Sequence, residues 1–146
     1  KYLFSVESNG QLSEYEILIR ACEIIIEKLK LMKENVNSEQ YTMIKTQNNS
    51  LMLEILKEDH TCGGPINYIL QNMKEVKFSG INKPDFLQKI INIVIQTDEK
   101  TTPLECLNKA IDQSIKMYEE FIDSFRNEID FALSEANATI KIQIPA

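Results

Sequence analysis

The feature that most constrains the fold of this chain is one long apolar stripe towards its C-terminal end. Residues 102–105 read Thr-Pro-Leu-Glu, which combines a helix N-cap, a proline at the first helical position and a capping-box glutamate. From there, apolar side chains recur every three or four residues over about seven helical turns. They are Leu104, Leu107, Ile111, Ile115, Tyr118, Ile122, Phe125 and Ile129. A one-sided stripe of this length has to be buried, so the sequence predicts a long helix with a partner helix.

A second predicted helix, over residues 14–35, is the natural partner. Ser13 is a favourable N-cap and Glu16 completes a capping box. The predicted contact residues on this helix are Ile17, Leu18, Ala21, Ile25 and Leu29. We expect them to face Ile111, Ile115, Tyr118 and Ile122 of the long helix, with Phe125 continuing the stripe, either within one chain or across a dimer.

The remaining apolar segments have the composition of strands. Strands are predicted over residues 2–7, 41–46, 50–56, 76–78, 90–95 and 139–144, and a short helix after the Gly-Gly-Pro at 63–65. The run at 90–95 is almost continuously apolar, which is typical of a strand buried on both faces. The sequence therefore predicts an α+β fold: one mixed or antiparallel sheet of four or more strands, with two long helices packed together on one face.

Composition limits the classes of function. A chain of 146 residues fits one domain, and a net charge of −6 disfavours direct nucleic-acid binding, which needs a clustered basic surface. Three widely spaced cysteines and a single histidine suggest no disulfide framework and no metal or cofactor site, and favour an intracellular protein. No apolar run is long enough to span a membrane. The paired acidic residues at 119–120 and 128–130 lack the Glu-x-x-His pattern of di-iron bundles, so we interpret them as solvated helix surface.

Residues 58–63 read Glu-Asp-His-Thr-Cys-Gly and could be taken for a catalytic site. His60 and Cys62 are a potential base and nucleophile. Side chains this close in sequence rarely reach that geometry, however, and the chain has no second histidine. We expect Asp59 or Thr61 to cap a turn, and His60 to bond locally or to contact a partner.

The same hexapeptide is the first of three ordered motifs that carry a resemblance. The second is Val-x-Phe-x-Gly at 76–80, and the third is Ile-Gln-Thr at 95–97 followed by Thr-Pro-Leu-Glu at 102–105. Together they make residues 41–134 similar to the eleventh subunit of eukaryotic RNA polymerase II and to archaeal subunit L. Residues 1–36, with Phe-x-Val-Glu-Ser-x-Gly-x-Leu at 4–12, resemble the C-terminal strand and helix of the third subunit and of its archaeal counterpart.

Both halves in one chain, joined by a connector at 37–40, resemble the fused subunit of large cytoplasmic DNA virus polymerases of the African swine fever virus type. Residues 135–146 would then be an extra C-terminal strand or tail. Because the chain starts without methionine, inside a strand-like alternation, we expect a C-terminal fragment of a longer protein.

The resemblance implies a non-catalytic assembly subunit of DNA-dependent RNA polymerase, which dimerises through long helices and recruits the two largest, catalytic subunits. It implies a large-subunit contact at Glu58, Asp59, His60, Thr61 and Gly63. It also implies other polymerase subunits as partners, indirect association with nucleic acid, no cofactor and, for a viral protein, a location in host cytoplasm and virion. The alternative is a stand-alone homodimerising interaction domain without a polymerase, and the fragment itself could form homodimers.

The chain departs from the family pattern directly after the motif. The family's Leu-Gly-Asn-Leu is replaced by Cys-Gly-Gly-Pro at 62–65. Proline cannot donate a backbone hydrogen bond inside a helix. We therefore expect this helix to begin with Pro65 at its first position and Gly64 near its cap. Residues 68–71 replace basic residues common in the family, so the contact made by this helix should differ in detail.

Overall fold

The computed structural model describes residues 5–46, 49–85 and 87–142. The elements, in chain order, are α1 (Glu14–Asn37), β1 (Thr42–Thr46), β2 (Ser50–Leu56), α2 (His60–Asn72), β3 (Val76–Asn82), β4 (Ile90–Thr97) and α3 (Pro103–Ile142). The predicted α+β class is confirmed.

The four strands form one antiparallel sheet in the order β1-β2-β4-β3. The predicted hairpin pairs Met43 with Leu53, and Leu53 in turn lies opposite Ile93 of the central strand β4. A register shift between Val76 and Phe78 interrupts the ladder of β3. The bulge leaves Val76 packed against the core, whereas Phe78, Gly80 and Asn82 share the opposite side of the strand.

The core lies between the sheet and the helices. Leu53, Ile55, Ile91, Ile93 and Ile95 are fully buried, and Ile66 and Leu70 of α2 and Leu107 and Ile111 of α3 belong to the same buried cluster. Both α2 and α3 contact the sheet, and α1 packs against α3 and α2. The order from the sheet outwards is therefore β-sheet, then α2 with α3, then α1.

Two predicted strands are wrong in the described residues. Residues 5–7 have no regular structure, and residues 1–4 and 143–146 lie outside the described part of the chain. Residues 139–142, predicted as a strand, continue α3. The six alternating residues at 139–144 are also compatible with a helix, because residues 104–142 contain no proline or glycine that would stop one.

The start of α2 was also predicted wrongly. The helix begins at His60, and Pro65 lies inside it. Asp59 has extended backbone angles and its carboxylate accepts a hydrogen bond from the N–H of Thr61, at 2.9 Å. This N-cap starts the helix five residues earlier than expected, because Pro65 removes one backbone donor near the helix start without preventing the first turn.

Candidate subunit interface: the motif turn and the paired helices

The turn between β2 and α2 carries the motif residues and is held by backbone hydrogen bonds. Lys57 has a left-handed φ of 64°, which reverses the chain after the strand. The N–H of Gly63 donates to the carbonyl of Asp59 at 3.1 Å. The hydrogen bond from Thr61 holds the pKa of the Asp59 carboxyl below its ordinary value. The expected local capping by Asp59 is therefore present.

Gly63 is the point of closest approach between α2 and the sheet. It is buried, and a Cβ at this position would lie 2.7 Å from Cδ1 of Ile91 and 3.1 Å from Cδ1 of Ile81. The neighbouring Gly64 has nothing within 4 Å of the equivalent position. The absence of a side chain at Gly63 therefore lets α2 pack closely on the sheet. Gly64 has free space around it, so a side chain would fit there.

Glu58 connects the motif to α1. Its carboxylate accepts hydrogen bonds from Nζ of Lys28 at 3.1 and 3.2 Å, and its side chain is only 14% exposed. This hydrogen bond raises the pKa of Lys28 above its ordinary value. The sequence motif and the first helix, 30 residues apart in the chain, are therefore joined by one ion pair.

Cys62 does not have the environment of a nucleophile. Its side chain is fully buried, and this burial, followed by its hydrogen bond with Glu58, raises the pKa of the thiol to about 12. A thiol with such a pKa stays protonated at neutral pH and is a poor nucleophile. The pKa values of Cys22 and Cys106 are also raised by burial. The geometry offers no support for the catalytic interpretation of the motif.

The outer surface of the motif and of α2 is accessible and almost free of charge. His60 and Thr61 are exposed, and Tyr68, two turns along α2, is 68% exposed. Residues 61–73 contain no charged side chain. Depletion of charge and enrichment of tyrosine are features of the centres of protein interfaces.

Helices α1 and α3 pack against each other in antiparallel orientation. Near the start of α1, the rings of Tyr15 and Phe125 have centroids 6.3 Å apart. Near its end, Nζ of Lys33 lies 2.6 Å from Oδ1 of Asp112. Further contacts along the pair are Arg126 with Glu23, Lys30 with Glu119, and Asn108 with Asn37. The start of α1 therefore lies beside the middle of α3, and the end of α1 lies near the start of α3.

The residues predicted to lie between the two long helices differ in their burial. On α3, Ile111, Ile115 and Ile122 are buried, and Tyr118 and Phe125 are half-buried. On α1, Leu29 is fully buried, Ile17, Leu18 and Ile25 are half-buried, and Ala21 is exposed. The buried stripe of α1 instead runs through Cys22, Ile26, Leu29, Met32 and Val36. Ala21 was predicted to contact α3, but within the chain it is exposed, and the next residue, Cys22, is buried instead. The spacing of Cys22, Ile26, Leu29 and Val36 was the signal for the correct face.

The outward side of α1 carries a second apolar stripe, which we call the outer stripe: Ile17, Ala21, Ile24 and Leu31. Ile24 is 50% exposed and Leu31 is 57% exposed. A helix that is apolar on two sides is normally buried on both. The outer stripe is therefore a surface that is available to another protein segment.

Neither a membrane-spanning helix nor a metal-binding cluster occurs in the described residues. None of the helices in this part of the chain is both long enough and apolar enough to cross a membrane. No group of three or more His, Cys, Asp or Glu side chains within the same residues is arranged to hold a metal ion.

Comparison with known proteins identifies the family. The model of the RNA polymerase Rpb3/Rpb11 dimerisation domain matches residues 50–124, just over half of the chain. The subunit Rpo11 of the DNA-directed RNA polymerase of Saccharolobus solfataricus is 36% identical over 84 residues, which are 58% of this chain and 91% of that protein.

A protein of Acanthamoeba polyphaga mimivirus, named as a DNA directed RNA polymerase subunit, is 29% identical over 125 residues. These are 84% of this chain and 35% of that protein, so the chain spans about a third of its length. The crystal structure of subunit L of the Thermoplasma acidophilum DNA-directed RNA polymerase has the same fold, with a TM-score of 0.56 and 17% identity over 64% of this chain and 92% of that one. The chain belongs to the RNA polymerase Rpb3/Rpb11 dimerisation domain family.

Proposed function

We propose that this chain is a non-catalytic assembly subunit of a DNA-dependent RNA polymerase, in which it forms the α-like platform that recruits the two large catalytic subunits. The observation that carries the proposal is the ion pair between Glu58 and Lys28. It joins the motif turn of the eleventh-subunit-like part to the helix that resembles the third subunit. The exposed His60 and the uncharged surface of α2 lie beside this junction and supply the contact with a large subunit.

We further propose that both halves of the α-like pair belong to one polypeptide, as in the fused subunits of large cytoplasmic DNA viruses. The mimivirus protein supports this, since it matches 125 residues, whereas the archaeal Rpo11 matches 84. The packing of α1 on α3 then corresponds to the contact between two separate subunits in cellular polymerases. In a virus, the protein would act in the host cytoplasm and be carried in the virion.

The experiment is affinity purification of the tagged chain from cells that express the complete polymerase. We expect both largest subunits in the purified complex, and their loss when His60→Glu places a carboxylate on the motif surface. Lys100→Glu is the control, because Lys100 is exposed in the turn after β4, at the opposite end of that strand from Ile90, which pairs with Leu56 just before the motif turn. Recovery of the intact wild-type chain without either large subunit would refute the proposal.

The second candidate is a stand-alone homodimerising domain, and the outer stripe of α1 is the observation that favours it. The two functions differ in their partners. A homodimer of the chain that persists in polymerase-expressing cells, with no polymerase subunit attached, would select this alternative.

A further inference from the structure

The sheet has a second face that the helices do not use. Along β4, the odd-numbered residues 91–97 are buried, and the even-numbered residues 90–96 remain partly accessible. The inward residues pack against α2 and α3. The alternate side chains of all four strands therefore form an opposite face, which we call the open sheet face.

One row of the open sheet face is apolar, although the exposed face of an antiparallel sheet is normally polar. The register places Ile44, Met52 and Val94 side by side across three strands, followed by Gly80 on the fourth. The Phe78 ring lies over Gly80, with Cζ 3.2 Å from the position of a Cβ on that glycine. Ile44 is 46% exposed and Phe78 is 56% exposed. The apolar run of β4 likewise has the composition of a strand covered on both sides.

The neighbouring row of the same face carries one carboxylate and one buried amide oxygen that accepts no hydrogen bond from the described residues. It consists of Thr42, Glu54, Asn92 and Asn82. Glu54 is the only charged residue among the described residues of these two rows. Asn92 lies directly opposite Glu54, and its Oδ1 is buried and accepts no hydrogen bond within the described residues. The carboxylate of Glu54 is the partly accessible acceptor of the two, and a positively charged donor is its preferred partner.

We propose that the open sheet face binds a protein surface on which apolar side chains surround one arginine. The guanidinium donates to the two carboxylate oxygens of Glu54, and the apolar row receives the surrounding side chains. Arginine fits because its planar fork matches the two oxygens of a carboxylate. This inference does not depend on the polymerase role, since the chemistry of the face alone defines the partner.

The charges on the face disfavour two other occupants. A second copy docked face to face would bring no cation from these two rows to the Glu54 carboxylate, and would join two chains of net charge −6. A nucleic acid would place phosphates beside the Glu54 carboxylate, without basic residues in these two rows to attract them.

The test is photo-cross-linking in the complex purified from expressing cells, with p-benzoylphenylalanine in place of Phe78. We expect a cross-link to a protein peptide that contains an arginine among apolar residues. The variant Glu54→Arg should weaken that partner's binding at least tenfold, and reversal of the partner's arginine to glutamate should restore it. Glu54→Gln keeps the shape of the side chain, and should weaken binding less. Thermal unfolding of each variant shows that the chain still folds.

Glu27→Arg is the charge-matched control, because Glu27 is exposed on α1 and lies outside the sheet. It should leave the affinity unchanged. A cross-link to this chain itself, to nucleic acid or to an acidic peptide would overturn the inference. Wild-type affinity of the Glu54→Arg variant, or a complex with no cross-link from position 78, would also overturn it. Loss of large subunits through His60→Glu tests a different surface, so failure of one proposal does not imply failure of the other.

Discussion

Gly63 and Gly64 are adjacent in α2 but have opposite surroundings, which makes them a matched pair for mutagenesis. Alanine is favoured over glycine in a helix by about 1 kcal/mol. Gly64→Ala should therefore increase the free energy of unfolding by about that amount, since nothing lies within 4 Å of its new Cβ. Gly63→Ala has to displace Ile91 and Ile81, and overpacking of this kind costs about 1–3 kcal/mol. Urea denaturation should rank Gly64→Ala as the more stable variant, and the reverse order would contradict the close approach of α2 to the sheet.

Asp59 stabilises the start of α2 in a way that depends on pH. Asp59→Ala should lower the free energy of unfolding at pH 7 by about 1 kcal/mol, because the N–H of Thr61 loses its acceptor. The pKa of Asp59 is lowered in the folded chain, so its contribution is complete above the unfolded value of about 3.9 and is lost as the pH falls through the folded pKa.

The Asp59→Asn variant is the control for this prediction, since asparagine caps helices well without ionising. The stability difference between the wild type and Asp59→Asn should shrink below about pH 4, where the Asp59 carboxyl of the unfolded chain begins to take up a proton. Denaturation curves measured from pH 3 to pH 7 test this. A difference that is constant over the whole range would show that the ionised Asp59 carboxylate does not stabilise the helix start.

At the scale of the elements, the buried stripe of α1 supports the contact with α3. Leu29 is fully buried and Leu31, two residues on, is 57% exposed. Leu29→Ala should lower the free energy of unfolding by about 2–5 kcal/mol, as expected for a cavity in a packed core. Leu31→Ala removes the same atoms from the outer stripe and should change the free energy of unfolding by about 0.5 kcal/mol or less. Similar losses for the two variants in chemical denaturation would refute the assigned face of the helix.

The contrast between the two long helices shows what the sequence could predict. In α3 the residues opposite the apolar stripe are mostly polar, so the stripe identified Ile111, Ile115 and Ile122 as buried. In α1, isoleucines at 24–26 occupy both sides of the helix, and periodicity alone does not say which side meets α3. Tertiary packing determines which side of α1 faces α3, and Ala21 does not lie on that side.

The structure of the motif turn was only partly predictable from the sequence. Capping by Asp59 follows from local chemistry, and it was expected from the sequence. The early start of α2 differs from the prediction because the Asp59 cap stabilises the first turn, which offsets the cost of Pro65 inside the helix. The link from Glu58 to Lys28 joins distant parts of the chain. No local pattern in the sequence specifies a contact of that kind.

For the whole molecule, the two uncovered apolar surfaces lie on opposite sides of the layered structure. The outer stripe belongs to α1, the layer farthest from the sheet, and the open sheet face belongs to the other side. The sheet and the helices α1, α2 and α3 pack around one buried core. Such an arrangement suits a platform that holds different partners at the same time, because one partner can bind each side without displacing the other.

The isolated chain should therefore self-associate when its partners are absent. The outer stripe exposes large apolar side chains, and burial of apolar surface contributes about 25 cal/mol per Å². Native mass spectrometry and sedimentation at micromolar concentration should show a dimer, and Ile24→Glu should convert it to a monomer, because pairing would bury the new carboxylate. Tyr68→Glu is the control, since Tyr68 is also exposed but lies on α2. If the wild-type chain is monomeric, or if Tyr68→Glu dissociates the dimer and Ile24→Glu does not, the outer stripe is not the surface through which the chain associates.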